Sequence, residues 1–118
     1  MGIFQKLKAA LKDDWCSGCT VQMDEVGKQL YALPSMTVGH FQDIEDPNYY
    51  VQNLVKIQKK AEIPAGVYAC GTYLYHCPQC GKTVAKLVVF LPVRDQEQVD
   101  GAHLFENKAL IEFLQKTQ

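Results

Sequence analysis

The chain has 118 residues, 47% hydrophobic and 21% charged, which fits one soluble globular domain over residues 1–118 and excludes both a disordered chain and a second full core. Twelve basic residues against thirteen acidic, with Arg94 the single arginine, disfavour a nucleic-acid binder, because arginine is the preferred reader of phosphate and guanine edges. The longest apolar run, Leu87-Val88-Val89-Phe90-Leu91, is strand length and far short of the roughly 20 residues of a membrane span.

At the start, Lys6, Lys8 and Lys12 interrupt what would otherwise be a signal-peptide core, and Lys6 stands where a myristoylated start needs Ser or Thr. A cytoplasmic location is therefore expected. Ile3, Leu7, Leu11 and Trp15 lie four apart, which predicts an amphipathic N-terminal helix within residues 3–15, packed on its own domain and stopping before Asp13-Asp14. Thr20–Met23 and Lys28–Leu33 alternate as two short strands around a turn at Gly27, with Pro34 breaking the pattern. Asp46-Pro47 is a good helix start. Tyr50, Leu54 and Ile57, with Val51 and Val55 beside them, predict a central helix that ends near Lys60.

Pro64-Ala65-Gly66 reads as a turn leading into a strand over residues 67–76, and residues 82–91 form a second strongly β-type run. Together they predict a hairpin with Cys77-Pro78-Gln79-Cys80-Gly81 at its tip. Residues 92–105 are read as polar and irregular. Asn107 is the expected cap of a C-terminal helix packing Ala109, Leu110, Phe113 and Leu114 inward. The fold class expected is thus α+β: an antiparallel sheet flanked by an N-terminal, a central and a C-terminal helix.

The chemistry of the chain concentrates in two Cys-x-x-Cys pairs, Cys16/Cys19 and Cys77/Cys80. Two intervening residues let a tight turn aim both sulfurs at one ion, and two such turns complete a tetrahedral set of four cysteines. In a reducing compartment such pairs are metal ligands or redox centres more often than disulfides, and the fifth cysteine, Cys70, makes the count odd. Zinc is the ion expected, with iron the alternative that the same four sulfurs accept. Four thiolates leave no open position for a catalytic water, so the metal is expected to be structural. In the second pair, Pro78 fixes a turn and Gly81 supplies a positive-φ position.

Cys77-Pro78-Gln79-Cys80-Gly81-Lys82 resembles the knuckle of zinc ribbons and rubredoxin-like domains, and Cys16-Ser17-Gly18-Cys19 resembles the partner knuckle. The resemblance covers about a quarter of the chain and implies that Cys16, Cys19, Cys77 and Cys80 are the ligands. The 57 residues between the pairs depart from a compact ribbon and must hold inserted elements. Trp15-Cys16-Ser17-Gly18-Cys19 also resembles the Trp-Cys-x-x-Cys motif of thioredoxin-like oxidoreductases. That resemblance implies a thiol-disulfide exchange role for Cys16 and Cys19, with Ile63-Pro64 facing them.

Three readings follow. The first is a non-enzymatic, zinc-stabilised domain that works through a protein partner or self-association, for which Tyr49, Tyr50, Tyr68, Tyr73 and Tyr75 are interface candidates. The second is a thiol-disulfide oxidoreductase, and the third a nucleic-acid-binding ribbon. Cys70 is expected as a buried spectator thiol, and His76 as a neighbour of the metal or a surface residue. His40 and His103 are expected as solvated neighbours of Asp43 and Glu106. No nucleophile elbow, deaminase signature or phosphate loop is present.

Overall fold

In a computed structural model of the chain, residues 15–16, 18–92 and 99–118 are described. Strand β1 (Trp15–Cys16) pairs with β2 (Val21–Gln22) as a two-stranded ribbon. The main sheet holds five antiparallel strands in the order β4-β3-β5-β6-β7. They are β3 (Asp24–Thr37), β4 (Val55–Lys56), β5 (Val67–His76), β6 (Thr83–Phe90) and β7 (Gly101–Phe105). Helix α1 (Pro47–Asn53) precedes β4, and helix α2 (Lys108–Lys116) follows β7.

The middle strands are buried along almost their whole length. Alternation sends Cys70, Thr72 and Leu74 of β5 to one face and Ala69, Tyr73 and Tyr75 to the other. Ala85, Leu87 and Val89 of β6 join the first face, where Tyr50, Leu54, Leu110, Ile111 and Leu114 pack from α1, its cap and α2. Val84, Val88 and Phe90 join the second, with Ile57, Ile63, Met23 and Cys16. Lys86 is buried on this second face, its ammonium 5.8 Å from the centre of the Tyr73 ring. Burial of the Tyr73 phenol pushes its pKa up.

The expected α+β class with three flanking helices is corrected: among the described residues there are two α-helices beside one five-stranded sheet. The helix expected within residues 3–15 lies outside the described residues except at Trp15, which opens β1. The central helix starts where expected. The Asp46 carboxylate accepts from the Asn48 amide at 3.0 Å, and Pro47 occupies the first turn. It ends at Asn53 rather than near Lys60, because Val55–Lys56 leave the helix to pair with Tyr31 and Ala32 at the sheet edge. Leu54 is then buried on the helix-covered face and Ile57 on the opposite one. The apolar spacing that mimics a helical stripe comes from a chain passing around an edge.

Two strands differ from expectation as well. Asp24–Thr37 is one strand, and Gly27 and Pro34 sit at register shifts within it rather than at a turn and a break. At the second shift Pro34 and Ser35 are exposed while Met36 is buried, as a bulge re-aims side chains without ending the ladder. Residues 101–105, read as irregular, form β7 with full pairing from Ala85↔Phe105 to Val89↔Gly101.

The C-terminal helix is capped as expected, the Leu110 amide donating to Asn107 Oδ1 at 2.9 Å. Its inward residues are Leu110, Ile111 and Leu114, with Phe113 half-buried and Ala109 exposed. Truncating Leu110 to Ala, at a site with no solvent exposure, should cost about 2–5 kcal/mol in denaturant unfolding. Asn107→Ala, which removes only the cap, should cost about 1 kcal/mol in the same measurement.

Candidate metal centre

Each cysteine pair forms the same turn on a different support. In the second, β5 and β6 pair down to His76↔Thr83, so Cys77 leaves the ladder at the hairpin tip. The Cys77 amide donates to the Lys82 carbonyl at 2.8 Å, and the Gly81 amide returns to the Cys77 carbonyl at 3.0 Å. Gly81 takes φ +77°, as its place after the last cysteine predicts. In the first, the Thr20 amide donates to the Cys16 carbonyl at 2.8 Å, and Thr20 takes φ +53°. A β-branched residue thus stands in the first turn where glycine stands in the second, in a conformation that L residues avoid. The first turn hangs on the β1–β2 ribbon, where Cys16 pairs with Val21.

The two turns converge. The sulfurs of Cys16, Cys19, Cys77 and Cys80 all lie within 4.8 Å of one another, and Cys16 Sγ is 3.9 Å from Cys80 Sγ. A tetrahedral ion with metal–sulfur bonds of about 2.3 Å requires sulfurs about 3.8 Å apart, so this donor set fits one ion. Cys16 and Cys77 are buried, Cys19 is half-buried and Cys80 is exposed. The four thiols are thus placed to bind a metal ion.

Their protons are unequally held. The backbone amides of Cys80 and Gln79 donate toward Cys77 and bring its thiol down from 9.0 to about 6. Cys19 is pushed up to about 12, because hydrogen bonds to the Cys80 and Cys77 sulfurs favour its protonated form. Lys82, one residue beyond Gly81, binds Glu106 at 3.2 Å. Its own pKa is raised, first by Glu106 and further by Cys16 and Cys80. This cation beside the sulfurs escaped the sequence reading. Its position after the knuckle was visible, but its partner depends on the β6–β7 pairing.

The remaining candidates lie apart from the sulfurs. Cys70 is fully buried on the opposite face of β5, where burial pushes its thiol up. His76 Nδ1 is 3.2 Å from Thr83 Oγ1 across the hairpin. His103, expected as a solvated neighbour, is largely buried, with Nε2 2.6 Å from Asp43 Oδ1, and so clips the segment after β3 to β7. After Cys19 the chain enters β2, where a thioredoxin-like motif would open a helix. Four of the five tyrosines named as interface candidates, Tyr50, Tyr68, Tyr73 and Tyr75, are core residues, and Tyr49 is half-buried.

No known family model, curated protein or solved structure matches the chain. Among the described residues no helix is long and apolar enough to cross a membrane.

The two turns should answer differently to substitution at their left-handed residues. Gly81→Ala meets no side-chain obstacle, so its cost is the backbone's alone, about 1 kcal/mol. Thr20→Gly removes the same kind of strain and should leave the chain equally or more stable, by up to about 1 kcal/mol, in denaturant unfolding. The protons give a pH dependence. Between about 6 and 9.0 the folded metal-free chain holds Cys77 as thiolate while the unfolded chain holds a thiol. This contribution is complete above 9.0 and is lost as pH falls through about 6. The melting temperature of metal-free protein should therefore climb across that window, and Cys77→Ser should flatten the climb.

Proposed function

We propose that Cys16, Cys19, Cys77 and Cys80 hold one zinc ion, and that the ion fastens the β1–β2 ribbon to the tip of the β5–β6 hairpin. The observation that carries this reading is the mutual approach of four sulfurs, from segments 57 residues apart in sequence, to within 4.8 Å. Four sulfurs complete the coordination of the ion and leave no place for substrate or water, which suits a structural role. The same donors would accept iron; zinc is the reading adopted.

In this reading residues 1–118 form a single metal-stabilised domain that works through contacts with another protein or a second copy. The near-balanced charge and single arginine support this over a nucleic-acid role. Exposed Val26, Val38, Val55 and Leu104 supply apolar surface for contacts that the buried tyrosines do not.

Elemental analysis of protein purified without added metal should find one zinc per chain, with four thiols protected from alkylation until a chelator is added. Cys77→Ser should lose the ion and more than about 3 kcal/mol of stability, since binding free energy of such sites is folding free energy. Cys70→Ser should keep the ion. Metal-free protein that takes up no zinc when offered it, or a Cys77→Ser variant that melts like the parent, would refute the assignment.

A further inference from the structure

The four sulfurs differ in what can reach them. Cys16 is 2% exposed and Cys77 fully buried, whereas Cys80 stands open to solvent on the hairpin tip. The tip itself is loosely surrounded: a side-chain carbon built on Gly81 would meet nothing within 4 Å, and the same is true of Gly18 in the first turn. Across the gap between the turns, Cys16 Sγ is 3.9 Å from Cys80 Sγ, and the two residues are 64 positions apart in the chain. A disulfide needs the sulfurs at about 2.05 Å, a closure of about 2 Å, and residues 78–81 of the tip are exposed to solvent on the Cys80 side.

We propose, resting on the reading of the four cysteines as zinc ligands, that Cys80 is an oxidation site for hydroperoxides and that Cys16 resolves it. The centre then exchanges its ion for a disulfide between the two knuckles. The Cys80 thiolate attacks the peroxide; a sulfur–oxygen bond forms, the oxygen–oxygen bond breaks, and the departing oxygen takes a proton from water. The Cys16 thiolate next attacks the sulfenic sulfur; the sulfur–sulfur bond forms and hydroxide leaves, to be protonated in turn. Two electrons pass from the two sulfurs to one peroxide. The ion, left with Cys19 and Cys77, is released. A dithiol reductant returns the two electrons, and the four thiolates can take zinc again.

The pairing across the turns matters for the fold. A Cys16–Cys80 bond ties the same two segments that the ion ties, so the sheet keeps its fastening while the metal leaves. A bond within either pair would release the ribbon from the hairpin. The exchange is thus a reversible zinc release that keeps the chain folded, and it responds to peroxide.

The test uses the full zinc-loaded chain, hydrogen peroxide and a chromogenic chelator, with peptide mapping under non-reducing conditions. The expected result is about one zinc released per disulfide formed, a Cys16–Cys80 cross-link as the main product, and a retained cooperative melting transition. Dithiothreitol with added zinc should restore the starting metal content. Cys70→Ser, which removes the thiol outside the centre, should release zinc at the parent's rate. Zinc loss with Cys16–Cys19 or Cys77–Cys80 as the main product, or with Cys80 carried to sulfinic acid and no disulfide, would overturn the proposal. So would zinc retention in excess peroxide, and in each of these cases the zinc assignment stands. A chain that takes up no zinc would overturn both readings together.

Discussion

The pairing of β5 with β6 is the constraint on which the rest of the structure depends. Its eight residue pairs run without a shift from Ala69↔Phe90 to His76↔Thr83. That register decides which side chains enter each of the two cores, since a one-residue slip turns every side chain to the other face. It also decides where Cys77 leaves the ladder, and therefore where the second cysteine turn stands. Both α-helices pack over one face of this hairpin, and the ribbon that carries Cys16 and Cys19 meets the hairpin at its tip.

The two cysteine turns make the same backbone hydrogen bond but differ in how they are held. The second belongs to a ladder without register shifts and uses glycine for its left-handed residue. The first hangs on a two-residue strand pair and places Thr20 in that conformation. Such strain persists where surrounding contacts over-determine the backbone. Here the contacts are the buried Cys16 side chain in the second core and the convergence of its sulfur on the other three. Lys82 and Glu106 extend the same corner to the end of β7, placing a cation beside a group of sulfurs that lose protons when they bind metal.

Local rules worked wherever a residue acts on its immediate neighbours. Asp46-Pro47 starts a helix, Asn107 caps one, Gly81 takes positive φ, and Pro64-Ala65-Gly66 turns the chain, because each depends on hydrogen bonds or sterics within a few residues. They failed where a long-range pairing was stronger than local preference. Val55 lies in a helical apolar pattern with Val51, Leu54 and Ile57, yet the Tyr31–Ala32 edge takes Val55 and Lys56 as a strand. Pro34 breaks a ladder only if its neighbours cannot bulge around it, and here they do. Gly101–Phe105 shows little β character alone and becomes a strand because β6 offers a free edge. The tyrosines could face either way, and two buried sheet faces drew most of them inward.

By itself the sequence determined the two cysteine turns, the hairpin that carries one of them, and the start and cap of two helices, all set by short-range geometry. It also determined which four thiols were available as a group. Tertiary structure alone decided that these sulfurs meet, since their approach spans up to 64 positions of chain and depends on a register no local pattern encodes. The same packing made Cys77 a buried thiol with a lowered pKa and left Cys80 open to solvent. It also closed Cys70 off completely inside the other core, because burial and hydrogen bonding belong to the folded surroundings and not to the spacing of cysteines.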